Sequence, residues 1–285
     1  MKKNIILSSL FCGLFNFLHA QDTFSQASFT AVTEENKLVK AGADDIYVHI
    51  KGAGSNVVFV SGLGEDYKTW QQVQDNIAGF AQTVSYDRSG LGKSSYKGKQ
   101  KNLSSLAMEL KKTLNSAKIK KPYLLVGHSL GCQIIKQFTA MFPKDVSGIL
   151  FIDPGFNEEL LELTLNDSVW QQREEQLKQY RSKIGIARED ELKELNKNCA
   201  IADDITLMPD IPIVLLTATK INPDFPGSKK ELKVKKDTHE RWLQYIPGGK
   251  QILVPQSRHY IQNDAPEIVI DQIKKMLKTI SVIKN

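Results

Sequence analysis

The string Gly127-His128-Ser129-Leu130-Gly131 has residue types and spacing suited to acyl transfer. It follows an apolar run, Tyr123-Leu124-Leu125-Val126, that predicts a strand, and it opens a predicted helix. On a sharp strand-to-helix turn a serine Oγ projects above the strand end, where a substrate carbonyl can reach it. Glycines are needed at 127 and 131 because side chains there collide with the neighbouring strand and helix. The helix N-terminus also favours a developing negative charge.

A serine hydroxyl is too weakly acidic to attack unaided, so an imidazole must accept its proton. His49 falls inside a predicted early strand and reads as structural. His128 adjoins Ser129 and cannot fold back onto it. His239 is read as starting a helix beside Trp242, where it packs or is solvated. His259 follows the last predicted strand, at the sheet edge where open α/β sheets place their sites. It is therefore assigned as general base and then general acid. The orienting acid should lie between serine and histidine in the chain. Asp153 directly follows the predicted strand Gly148–Ile152, and Asp224 lies seven residues beyond Thr217. Asp153 is preferred, with Asp224 kept as the alternative. Asp210 precedes its strand and so falls at the wrong end of the sheet.

These side chains need a scaffold that brings several strand ends to one edge. Short apolar runs at Val57–Val60, Thr83–Tyr86, Tyr123–Val126, Gly148–Ile152, Ile213–Thr217 and Gln251–Val254 predict strands covered on both faces. Amphipathic helices fit between them. Leu103, Leu106, Leu110 and Leu114 share one face, as do Ile134, Ile135, Phe138, Met141 and Phe142. Pro266 suits a first turn ahead of Ile268, Val269, Ile273, Met276, Leu277 and Ile280. Strand–helix alternation implies a mostly parallel sheet flanked by helices. Lys37 to Ile50 reads as an antiparallel hairpin leading into it. From about Phe156 to Met208 the rhythm stops, and Leu, Glu, Gln and Lys dominate. That stretch is expected to be a helical insertion.

Four segments together resemble the α/β-hydrolase superfamily over essentially all of residues 37 to 281. Ser61-Gly62-Leu63-Gly64 corresponds to the family's His-Gly loop, with Ser61 in place of the usual histidine. Tyr86-Asp87-Arg88-Ser89-Gly90-Leu91-Gly92-Lys93-Ser94 resembles its Asp-Arg-x-Gly-x-Gly-x-Ser segment. Gly127 to Gly131 is the nucleophile elbow. Ser257-Arg258-His259-Tyr260-Ile261 with Pro266-Glu267 resembles the loop and helix that carry the histidine. The resemblance implies an α/β-hydrolase fold with a helical cap insertion at about 156–208. It makes Ser129 the nucleophile and places the oxyanion-hole N–H groups at Leu130 and Leu63. It implies a serine hydrolase acting on a small ester or related acyl substrate, without cofactor or metal. Carbon–carbon hydrolase, lactonase and perhydrolase activities use the same triad, and hydrolase folds also serve as non-catalytic binding proteins. Aspartate at position 129 would suit epoxide hydrolases and haloalkane dehalogenases; this chain has serine.

The remaining composition sets boundaries. The 285 residues are 41% hydrophobic and 25% charged, which excludes a disordered chain. Lys2, Lys3 and the apolar stretch from Ile5 to Leu18 read as a signal peptide over residues 1–20, with the hydrolase domain over 21–285. Export to the periplasm or the extracellular space follows, without stable membrane insertion of the mature chain. Its loss removes two lysines and no acid, lowering the formal charge from +6 to about +4. The lysines at 97, 99 and 101, at 118, 120 and 121, and at 229, 230, 233, 235 and 236 read as solvated basic surface. No aromatic residues are interleaved as a nucleic-acid groove needs, so the expected partner is a small-molecule substrate. Gly90-Leu91-Gly92-Lys93-Ser94 fails as a phosphate loop because Asp87 stands where glycine is required. No His/Cys grouping has metal-ligand spacing. In an oxidising compartment Cys132 and Cys199 are candidates for pairing.

Overall fold

Strands rich in Val, Ile and Leu assemble an eight-stranded sheet in the computed structural model, which describes residues 32–97, 101–155, 166–169, 171–172, 175, 185–197 and 208–283. The signal peptide at 1–20, most of the cap at 156–208, and Cys199 lie outside the described residues. The strands are β1 (Glu34–Ala41), β2 (Asp44–Lys51), β3 (Asn56–Val60), β4 (Gln82–Tyr86), β5 (Tyr123–His128), β6 (Val146–Ile152), β7 (Ile213–Ala218) and β8 (Lys250–Val254). Their order is β1-β2-β4-β3-β5-β6-β7-β8. The first two strands form the expected antiparallel hairpin, turned at Gly42 with φ +75°, and β2 pairs antiparallel with β4. All later pairings are parallel, so β3 to β8 end at one edge.

The two-residue period of a strand sorts the core into two layers. Val58, Val60, Leu125, Ile149, Phe151 and Leu215 face one side. There they meet helix α2 (Leu103–Ser116) through Leu106, Leu110 and Leu114, and α3 (Leu130–Met141) through Ile134, Ile135 and Phe138. The intervening residues Val57, Phe59, Leu124, Val126, Leu150 and Leu216 face the other side. There α1 (Gln71–Ile77) and the C-terminal helix, Pro266–Ile283, cover them through Val73, Ile77, Val269, Ile273 and Met276. Each such side chain, fully buried, contributes about 1.5–3 kcal/mol. Asn102 caps α2 by accepting from Ser105 N at 2.8 Å.

Further α-helices among the described residues include α4 (Ile186–Lys197), α5 (Ser228–Gln244) and α6 (Ile261–Asp264), which makes the C-terminal helix α7. Helix α4 belongs to the proposed cap. His239 lies inside α5 rather than at its start, one turn before Trp242. Two lysines read as solvated are turned inward. Lys101 is buried and donates to Ser89 O, and Lys235 is only 13% exposed. Cys132 is a free buried thiol that donates to Gly127 O at 3.0 Å. No helix among the described residues is long and apolar enough to cross a membrane.

Candidate active site at the strand C-termini

The turn between β5 and α3 has the strain that the glycine spacing implies. Ser129 is held at φ 53°, ψ −116°, a conformation that side-chain-bearing residues seldom adopt. Neighbouring structure enforces it. A Cβ on Gly131 would stand 2.0 Å from Val60 O, and one on Gly127 would stand 2.7 Å from Gly131 O. Ser129 N donates to Ile152 O at 3.2 Å, tying the turn to β6. Leu130 begins α3, so its N–H has no carbonyl one turn back within the helix to bond. Leu63 follows Gly62 in the loop after β3 and packs partly against the core.

Asp153 is fully buried just past β6, at φ 44°. Its Oδ1 accepts from Ala218 N at 2.9 Å, and its Oδ2 accepts from His259 Nδ1 at 2.7 Å. The second oxygen also accepts from Lys235 Nζ at 2.9 Å. Burial alone would raise the carboxyl's pKa, but the Lys235 charge and the His259 hydrogen bond outweigh it and hold Asp153 ionised. Asp224 is exposed after β7, where its N–H donates to Asn222 Oδ1 at 3.2 Å. The structure thus brings Asp153, and not Asp224, to His259.

Ser129 Oγ and His259 Cε1 both face Gly155, lying 2.6 Å and 3.7 Å from where a Cβ on that residue would stand. The hydroxyl and the imidazole share that space without a hydrogen bond between them. Such contacts are commonly long in a free enzyme and tighten once substrate binds. The His259 side chain is 40% exposed, yet desolvation lowers its pKa below the usual imidazole value, and Asp153 only partly offsets this.

His128 and His239 act as struts. His128 Nε2 donates to His259 O at 3.0 Å, and its Nδ1 faces Glu65 Oε2 at 3.3 Å. The same Glu65 oxygen accepts from Gly62 N at 2.9 Å, so one carboxylate links the loop after β3 to the histidine loop through His128. Burial would raise Glu65, but hydrogen bonds from His128 and Gly62 take it down to about 2. His239 is buried, with Nδ1 at 2.8 Å from Thr217 Oγ1 and Nε2 at 3.3 Å from Pro154 O. Its pKa is pushed down to about 4 by burial, so the neutral ring donates to Pro154 O and steadies the turn carrying Asp153. His49 lies in β2 opposite Ser85 of β4 and packs edge-on against Tyr67, a structural place as its strand pattern indicated.

Arg88 braces the site from the segment after β4. It donates to Ser61 O at 2.7 Å and Gly62 O at 2.6 Å. The same guanidinium grips Glu191 of α4 at 2.7 and 2.9 Å. Asp87, in the place where a phosphate loop would need glycine, accepts instead from Tyr67 N and Lys93 N, both at 2.8 Å. Of these supports, Arg88, Asp87 and His128 stood in motifs that the sequence marked. Lys235, His239 and Trp242 recur at helical spacing along one face of α5, which is the signal that could have turned Lys235 inward. Glu65 and Glu191 carry no local signal at all. Among the described residues no group of three or more His, Cys, Asp or Glu side chains could hold a metal ion.

A family model described as alpha/beta hydrolase fold matches residues 56–195, from β3 into α4. The chain is 32% identical over 111 residues to the uncharacterized protein YqjL of Bacillus subtilis, covering 39% of this chain and 44% of that one. It is 30% identical over 115 residues to the pyrrolizixenacetamide deacetylase of Xenorhabdus hominickii, covering 40% and 43%. The chain thus spans less than half the length of either relative. A thermophilic esterase from Thermogutta terrifontis superposes with a TM-score of 0.60 at 16% identity, over 87% of this chain and 99% of that one. At that identity the likeness is one of fold.

Proposed function

Because the chain belongs to the α/β-hydrolase superfamily, we propose that it is a serine hydrolase that cleaves a small ester or related acyl bond through Ser129, His259 and Asp153. One observation carries the reading. A strained serine and the ring of an aspartate-bound imidazole face the same space beside Gly155. Asp153 accepts from Nδ1–H of His259, which leaves Nε2 as the basic nitrogen. Ser129 Oγ attacks the acyl carbon as its proton passes to that nitrogen. The N–H groups of Leu130 and Leu63 receive the charge developing on the carbonyl oxygen, each worth roughly a hundredfold in rate. The imidazolium returns its proton to the leaving group, and an acyl-enzyme forms on Ser129. His259 then draws a proton from water, which releases the acid. Export through residues 1–20 and a helical cap over residues 156–208 belong to the same proposal.

A fluorophosphonate probe tests the central step. The intact protein is expected to label at Ser129, located by peptide mass spectrometry, and a chain that only binds ligands stays unlabelled. The pH profile supplies a second check. The base must be neutral, and His259 is held below the usual imidazole value of about 6.5. Activity is therefore present above that lowered pKa and lost as pH falls through it. The acid limb of kcat/KM for p-nitrophenyl acetate is expected with its midpoint below about 6.5. A midpoint at or above 7 would contradict the assignment.

A further inference from the structure

Lys235 is the one residue of its basic run among the described residues that reaches the site. It comes from α5, whose facing residues include His239 on Pro154 O and Trp242 against Phe151, with ring centroids 5.5 Å apart. A long lysine turned inward loses side-chain freedom, and this one does so to put an ammonium 2.9 Å from the carboxylate oxygen that His259 also uses. An orienting aspartate needs only the imidazole and a backbone donor to be held, and Ala218 N already supplies the donor. The lysine therefore adds something else, a fixed positive charge.

We propose that Lys235 is a positioning residue for the proposed reaction: by sharing Asp153 Oδ2 with His259 it fixes the carboxylate toward the imidazole and withholds part of the carboxylate's charge from the imidazolium. The inference rests on the reading of His259 as general base. Without the lysine, the full negative charge of Asp153 faces His259, which then binds a proton at higher pH. With it, the imidazole stays neutral further into acid.

Lys235 is the cation bonded to Asp153 itself, while the neighbouring His128 ring also opposes a proton on His259, ahead of Lys235. His239, also on α5, is neutral and contributes a hydrogen bond rather than a charge. His128 lies beside His259 at 4.7 Å between ring centroids, with Glu65 as its own carboxylate. Tyr260 on the same loop packs edge-on at 5.5 Å. Asp264 is engaged by Arg258 N and Ser257 Oγ, at 3.0 and 3.2 Å. Lys220, Glu231 and Arg258 line a cavity of about 350 Å³ that also borders Lys235 and His259. None of these reaches Asp153 Oδ2, whose partners among the described residues are Lys235 and His259.

The test compares wild type with Lys235→Met and Lys235→Arg, each checked for folding by circular dichroism. Lys235→Met is expected to move the acid limb of kcat/KM for p-nitrophenyl acetate upward by about one pH unit. Below the limb that shift lowers kcat/KM about tenfold. Lys235→Arg keeps a cation and is expected to restore the wild-type limb. A uniform fall in kcat at every pH, with the limb unmoved, would assign Lys235 a merely structural role and overturn the proposal. Should Lys235→Met fail to fold, Lys235→Gln carries the same expectation. Proton NMR titration of the His259 ring in the same variants measures the shift without turnover. An inactive wild type would defeat the hydrolase reading, while the ring titration would still decide the role of Lys235.

Discussion

Asp153→Asn is expected to lower kcat by roughly ten-thousandfold while the protein stays folded. The size follows from the hydrogen-bond inventory of the buried carboxylate. Its two oxygens receive three donors: Ala218 N, Lys235 Nζ and His259 Nδ1. An asparagine offers one acceptor oxygen and one NH2 group, which only donates. If the oxygen stays on Ala218 N, the NH2 group faces the ammonium of Lys235 and the Nδ1 of His259. The imidazole then accepts at Nδ1 and carries its proton on Nε2, where it cannot take one from Ser129. If the amide flips, the NH2 group meets the Ala218 N–H inside the core, and an unsatisfied buried donor costs about 1–3 kcal/mol. Either arrangement damages the site, and the first abolishes the general base.

Asp224→Asn is the matched control. That side chain is exposed, on the loop after β7, and is expected to leave kcat within twofold, roughly the scatter of a surface change. Steady-state kinetics on p-nitrophenyl acetate with both variants separates the two aspartates. Equal activity of Asp153→Asn and wild type would remove Asp153 from the triad.

The contrast between the two aspartates shows where local pattern carries information. Strands, their burial on both faces and the turn at Ser129 are local matters. Apolar runs and a glycine-flanked serine encode them within a few positions, and the β1–β2 hairpin and β3 to β8 form where the runs place them, but β8 is not covered on both faces as expected: it is the edge strand, and Leu253 is 47% exposed. The place of Asp153 at the edge that carries His259 was legible because its position directly after β6 is itself a local fact. Partnerships across long separations are different. Arg88 and Glu191 are 103 residues apart, and Lys235 and Asp153 are 82 apart. Nothing in Ile186–Lys197, a strongly polar helix, marks Glu191 as the residue that becomes fully buried. Likewise Lys235 sits among lysines that remain outside, and only its spacing from His239 and Trp242 sets it apart. Charged residues are ordinarily solvated, so composition alone assigns them to the surface. The exceptions are set by a partner that the local sequence does not contain.

Glu191→Ala is expected to have the largest effect on stability, about 3–5 kcal/mol, because it strands the guanidinium of Arg88 in the core. Arg88 is 1% exposed and Glu191 is fully buried. Burial would raise the Glu191 carboxyl and lower the Arg88 guanidinium, but their mutual attraction overrides both tendencies and keeps the pair ionised. Removing one partner leaves the other charge without its counterion. Replacing both, as Arg88→Met with Glu191→Leu, removes the stranded guanidinium but takes from the buried Lys101 its partner 3.7 Å away, and is expected to recover part of the lost stability. Activity should not recover with it. Arg88 also holds Ser61 O and Gly62 O, while Glu191 accepts from Gly64 N at 3.3 Å, so the pair shapes the loop that carries Leu63. An apolar pair fills the volume and leaves those carbonyls and that N–H unheld. The double variant should therefore unfold in urea at a midpoint between Glu191→Ala and wild type, yet turn over p-nitrophenyl acetate at least tenfold more slowly than wild type, roughly the loss from misplacing one oxyanion donor. Recovery of both properties would show that the ion pair only fastens α4 to the sheet. Recovery of stability alone ties it to the geometry of the oxyanion loop.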